Sequence, residues 1–389
     1  MDPTAFSDAG FRLMLLDLSP HYYPDARSDY GSDSAEYIFH AGWTHQCDSP
    51  DTAVRIIKEH AADAWFFPLH QTYTAFDDET WLYHAFRKYR CEYVIKDIDY
   101  LPVMAEFALD TGFTPLRYTL NRIRYNLKHL SSPKQLWRAR GLLLTGLISR
   151  GWYFPGPGFC FGAGLISLGL MKKIYPAARI VSIPSADYVK VQRLLSAGAP
   201  ASDLPKTPFI AYIDQCPFAD PDAALFKQPL MSKAEYLGRM NPFFDRIEQA
   251  MQMKVVIAAS IKYRYQGDEF DGRTVYHGRT PELCYHAHLT IAHSSTAVSL
   301  PVMMEKQILF LSIRGLIDMN HQTHGMASAL GKTVLDSEAA FDRDSLTELA
   351  TVDRDRYRTY VRNYLADRPF TESIGSIIAR TLQEYAKAA

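Results

Sequence analysis

Short apolar runs bounded by polar turns alternate along this chain with stretches in which apolar residues recur every three or four positions. That alternation predicts strand–helix–strand units and mostly parallel sheets, an α/β fold. In the first half, residues 11–16, 64–69 and 92–95 read as strands, with helices over 52–60 and 81–88 between them. Two longer helices are predicted over 116–130 and 133–148, the second with Ser131 or Ser132 as cap and Pro133 at its first helical position. Residues 153–164 form a glycine–proline loop opening a helix over 165–174, and a strand follows at 178–183. Ala, Gly, Ser and Pro crowd 197–208, where a domain boundary is expected. Beyond it the pattern gives strands at 209–213, 254–259, 289–292 and 307–312. Helices are expected at 233–253, 280–286, 296–305, 353–365 and 370–387. The chain therefore reads as two Rossmann-like domains, 1–200 and 208–365, with a C-terminal helix in 366–389 packing back on the first. No internal repeat or low-complexity segment interrupts it.

A length of 389 residues is ample for two cores, and 47% hydrophobic with 13% aromatic residues describes a globular protein. The start, Met1-Asp2-Pro3-Thr4, lacks the basic and apolar regions of a signal peptide, and no apolar run reaches membrane-span length. Five cysteines, scattered and without C-x-x-C spacing, read as buried thiols of a cytoplasmic protein.

The net charge of −1 conceals an asymmetry. Residues 111–186 hold no Asp or Glu but eleven Lys and Arg, so the remainder carries −12. Such a surface attracts an anionic partner, or is paired by acids from the other domain. The basic segment 117–140 is a candidate for peripheral contact with the inner membrane. It contains no recognised nucleic-acid motif, and no nucleic-acid partner is expected.

Candidate chemistry gathers where predicted strands end. The run Ile291-Ala292-His293-Ser294-Ser295-Thr296-Ala297 places a histidine and three hydroxyls at a strand-to-helix turn. Free N–H groups there suit a phosphate, although Ser294 or Ser295 can equally be an ordinary N-cap. The strand 254–259 runs into the cationic turn Ser260-Ile261-Lys262-Tyr263-Arg264, and Arg273 follows. Asp214, followed by Gln215, ends the first strand after the boundary, where a carboxylate can act as base or nucleophile, or merely cap the loop leading to Pro217. His286, His288 and His293 have strand-like spacing and no completing ligand, so no metal is expected. The Phe161-Gly162-Ala163-Gly164 stretch either lets backbone approach a ligand or permits tight packing. A Walker loop, a G-x-S-x-G elbow and a G-x-G-x-x-G after a first strand are absent.

From Ile183-Pro184-Ser185-Ala186-Asp187-Tyr188 to Leu311 the chain resembles bacterial GT-B glycosyltransferases that use CMP-activated acidic sugars. These are the sialyltransferase, polysialyltransferase and Kdo-transferase families of capsule, lipopolysaccharide and O-antigen synthesis. Asp214 is similar to their acidic motif and His293-Ser294-Ser295-Thr296 to their serine motif. Phe270-Asp271-Gly272-Arg273, Gly278-Arg279-Thr280-Pro281-Glu282-Leu283 and Lys306-Gln307-Ile308-Leu309-Phe310 are similar to the intervening and closing segments. The resemblance implies a GT-B-like fold with sheets facing across a cleft and a CMP-linked donor, such as Kdo, but no metal or other cofactor. Donor binding would involve Ser260, Lys262, Arg264, Arg273, His293, Ser294, Ser295 and Thr296, with Gln215 and Glu282 as further cleft residues and Asp214 catalytic. The acceptor would be a lipid-linked or oligosaccharide surface glycan bound by the first domain. One departure matters: Ser260-Ile261 stands where the families carry a His-Pro pair. The stretch Val298-Ser299-Leu300-Pro301-Val302 also lacks the ribose-binding acid of many UDP-dependent relatives, which favours CMP. A sugar-nucleotide 2-epimerase and a degenerate transferase kept as an assembly partner are the alternatives.

Overall fold

The computed structural model describes residues 3–18, 21, 43–68, 80–97, 102, 156–199, 203–219 and 231–388. The helices expected over 116–130 and 133–148, and the basic segment 117–140, lie outside the described residues. The chain divides into two compact units. The first is Met1–Tyr100, Met104–Pro184 and Ala366–Ala389; the second is Ser185–Leu365 with Leu101–Val103.

In the first unit, β1 (Leu15–Asp17) and β2 (Thr44–Gln46) form a parallel pair. Strands β3 (Trp65–Phe66), β4 (Glu92–Asp97), β5 (Phe159–Gly162) and β6 (Arg179–Ser182) form a parallel sheet in chain order. Alternation along these strands serves two cores. Tyr93, Ile95 and Cys160 pack with Tyr83, Phe86 and Met171 on one face. Val94, Phe159 and Phe161 pack with Phe6 and with Ile377, Ile378 and Leu382 of the helix Ile374–Ala388 on the other. Residues 159–162, expected in a loop, are instead a fully buried strand. The run is short and framed by Gly and Pro, so breaker residues outweighed its Phe-Cys-Phe core.

The second unit holds β7 (Phe209–Ile213), β8 (Lys254–Ala259), β9 (Val275–His277), β10 (Leu289–Ala292), β11 (Ile308–Ser312) and β12 (Val334–Asp336). All pair in parallel, in the order β12-β11-β10-β7-β8-β9. The chain winds outward from β7 to β9, returns to the middle at β10, and winds the other way. This is doubly wound topology, and its switch point lies between β7 and β10.

Ile210 and Tyr212 face the helix Lys233–Met251, packing among Tyr236, Phe243, Phe244 and Ile247. Phe209 and Ala211 face Leu283 and Ala287 on the other side. Each fully buried aromatic contributes about 1.5–3 kcal/mol by leaving water, but a buried tyrosine must also find a partner for its hydroxyl.

Two expectations need correcting. The helix Ala186–Ser196, capped by the Ser185 hydroxyl accepting from the Tyr188 N–H at 3.1 Å, belongs to the second unit. The division therefore falls between Pro184 and Ser185, not in 197–208. Residues 296–305 do not make one helix: a 3₁₀ turn, Thr296–Val298, precedes a five-residue helix, Ser299–Met303. Among the described residues no helix is long and apolar enough to cross a membrane, and the five cysteines are buried free thiols.

Candidate active site at the switch point

The last paired residues of β7 and β10 are Ile213 and Ala292, and the next residues are Asp214 and His293. In an open parallel sheet the loops leaving neighbouring strands in opposite directions frame a crevice at this point. The sequence thus brings two of its predicted site residues to one place.

Asp214 is 2% exposed. Its Oδ1 accepts from the Tyr236 hydroxyl at 2.7 Å and the Cys216 N–H at 3.0 Å. Its Oδ2 accepts from the Tyr265 hydroxyl at 2.6 Å, and the Ser260 backbone donates as well. Burial raises the carboxyl above the usual carboxylate range, and these donors pull it back towards the charged form. Cys216 sits at φ +48°, which turns the chain into Pro217. The loop-capping role open to this aspartate is thus realised. Two hydroxyls and two backbone N–H groups donate to this carboxyl.

From Asp214 a line of side chains leads to His293. Tyr236 Oη lies 2.6 Å from Tyr212 Oη, which lies 2.9 Å from His293 Nε2. The imidazole, 1% exposed, packs on the Tyr212 ring at 26°. Burial, and secondarily the charge of Lys262, pushes His293 down to about 4, so it is neutral near pH 7. Its Nδ1 is buried with no hydrogen-bond partner. Burial and the charge of Asp214 hold the Tyr212 and Tyr236 hydroxyls protonated.

Around this line stand Ser260, whose Oγ accepts from the Lys262 N–H at 3.3 Å, and the exposed Arg264. Ser294 and Ser295 are buried, and the Ser295 Oγ caps the 3₁₀ turn by accepting from the Ala297 N–H at 3.1 Å. Thr296 is exposed. Gln215 is half-buried and donates to the Asp214 carbonyl at 3.3 Å.

Other predicted residues are committed elsewhere. Arg273 is buried, bonded to Asp245 at 2.6 Å and Glu248 at 3.2 Å, with its guanidinium over the Phe244 ring. It braces the segment before β9 against the helix Lys233–Met251 and does not fit a donor-binding role. Glu282 pairs with Arg279 at 3.2 Å, and Arg279 also holds Asp203. His286 bonds the Ala199 carbonyl at 2.9 Å and His288 is exposed, so they do not converge with His293. Among the described residues no three His, Cys, Asp or Glu gather as a metal site.

The tyrosines were not legible as site residues. One signal was present: Tyr212 precedes Asp214 by two positions, on the same strand face.

No family model matches the chain, and no curated protein matches it. Among solved structures it is similar to the spinosyn forosaminyltransferase SpnP, with a TM-score of 0.49 and 14% identity over 99% of this chain and 94% of that one. The calicheamicin glycosyltransferase CalG4 is similar with a TM-score of 0.48 and 10% identity over 100% and 95%. Os79 from O. sativa, solved with UDP, gives 0.47 and 10% over 99% and 95%.

Proposed function

We propose that this chain is a nucleotide-sugar-dependent glycosyltransferase of the GT-B type, with the donor phosphate at the switch point of its second unit. The observation that carries this reading is the pairing of Asp214 and His293 past the ends of β7 and β10, beside a serine-rich turn and a basic loop. Glycosidic cleavage leaves growing negative charge on the nucleotide phosphate, and preorganised donors and cations stabilise it. Ser294, Ser295, Thr296, Lys262 and Arg264 are of the right kinds. Asp214 acts in this reading as the acceptor that anchors the tyrosine line.

In its finer form, the reading takes the donor to be a CMP-linked acidic sugar such as Kdo, and the acceptor a lipid-linked or oligosaccharide surface glycan. Support for CMP comes from the helix Ser299–Met303, which has no acid to grip a ribose. The next acid, Glu305, is engaged by Arg354 at 2.8 Å. Calorimetric titration with CMP, UDP and GDP tests the reading, with CMP expected to bind tightest. Binding of none of the three would end it, and preference for UDP would end the CMP form alone.

A further inference from the structure

The line of hydroxyls between Asp214 and His293 has a direction. Asp214 Oδ1 accepts from the Tyr236 hydroxyl and the Cys216 N–H, and its Oδ2 from the Tyr265 hydroxyl, so the carboxyl is the acceptor at the end of the line. Tyr236 spends its single proton on Asp214 at 2.7 Å and must accept from Tyr212 at 2.6 Å. Tyr212, having given its proton to Tyr236, must accept from His293 Nε2 at 2.9 Å. The neutral imidazole therefore carries its proton on Nε2, and Nδ1, buried and unpartnered, presents a bare lone pair.

A phosphate oxygen also offers only lone pairs. We infer that Tyr212 and Tyr236 are positioning residues which fix His293 as a hydrogen-bond acceptor, so that holding a nucleotide phosphate there requires Nδ1 to take a proton from solvent. This rests on the nucleotide reading above. The balance is simple: neutral imidazole, one solvent proton and the phosphate anion become an imidazolium–phosphate pair, with Nε2–H still donating to Tyr212. The groups facing His293 are Tyr212, with Tyr236 and Asp214 behind it, and Lys262 from the turn after β8. Lys262 opposes the extra charge on the ring, and a bound phosphate offsets that opposition. Nucleotide binding is then coupled to proton uptake through a line of two phenols.

The test uses the full chain in two measurements. Nitrogen-15 NMR of histidine-labelled protein, assigned with His293→Gln, should show the Nε2–H form of His293 in the free wild type. In Tyr236→Phe the hydroxyl of Tyr212 is released to donate towards His293, and the Nδ1–H form should replace it. Titration of the nucleotide that binds, among CMP, UDP and GDP, in buffers of differing ionisation enthalpy at pH 8 should show uptake of about one proton in the wild type. Uptake should fall towards none in Tyr236→Phe, because Nδ1–H then donates without protonation. An Nδ1–H form in the free wild type, or binding without proton uptake, would overturn the inference and leave the functional reading standing. Failure to bind any of the three nucleotides would overturn the functional reading and the coupling together. The wild-type measurements decide the matter even where the phenylalanine variant does not fold.

Discussion

Asp214 and His293 stand side by side at the same level of two adjacent parallel strands, each one residue past its strand's last paired position, Ile213 or Ala292. They are joined through Tyr236 and Tyr212 and not directly. The carboxylate is an internal acceptor for groups that arrive from a helix, a loop and its own turn.

Replacing Asp214 by Ala would leave the hydroxyls of Tyr236 and Tyr265 and the Cys216 N–H buried without their acceptor. Each orphaned donor costs about 1–3 kcal/mol, so the variant should lose several kcal/mol of stability, seen as an earlier denaturant midpoint. Turnover should fall with the loss of structure. A variant with the wild-type midpoint and no turnover would instead assign Asp214 the part of base or nucleophile.

Arg273→Ala should separate structure from ligand binding. Removing it strips Glu248, whose side chain is 12% exposed, of its buried partner. Breaking such a pair costs roughly 3–5 kcal/mol. Nucleotide affinity of the folded variant should stay at the wild-type value by titration. A selective loss of affinity with stability intact would place Arg273 back among the donor contacts.

The strands Phe209–Ile213, Lys254–Ala259 and Leu289–Ala292 and the helix Thr280–His286 have the bounds that apolar runs and their flanking breakers indicate. Residues 159–162 and 186–196 were missed because a glycine–proline frame hid the first and a mixed polar pattern hid the second. At the site, Asp214 and His293 were legible because they follow strands of the same sheet. Their connection was not, since Tyr236 and Tyr265 come from 22 and 51 residues beyond Asp214 and look like ordinary core aromatics. Arg273 misled for a related reason. A cation beside a predicted phosphate turn invites a ligand, and nothing in its own segment reveals that Asp245 and Glu248 of the preceding helix already hold it.

Gly162 tests the packing reading of the Phe161–Gly164 stretch. A Cβ built there would lie 2.8 Å from Ser167 Oγ and 2.9 Å from Met171 Sδ, both on buried side chains of the helix Gly164–Ile174. Gly162→Ala should therefore destabilise the first unit by about 1–3 kcal/mol, the range for overpacked cores, read from thermal unfolding. An unchanged Tm would show that the helix yields without cost and that the glycine answers to something other than packing.

His293 should make stability depend on pH in a definite sense. Its pKa falls from 6.5 to about 4 on folding, chiefly through burial, so the folded state binds fewer protons than the unfolded chain between these values. Stability from this group is fully present above pH 6.5 and is lost as pH drops through about 4. The amount is on the order of 3 kcal/mol. Asp214 acts in the opposite sense: its carboxyl is raised above 3.8, so its contribution is present below that value and lost as pH rises through the folded one. Comparing the wild type with His293→Gln, which keeps Asp214, isolates the histidine. Unfolding by denaturant at a series of pH values should give a steeper decline for the wild type between pH 6.5 and 4 than for the variant. Parallel curves would mean that the imidazole is charged or solvated in the folded protein, and the neutral, acceptor-bearing ring at the switch point would have to be abandoned.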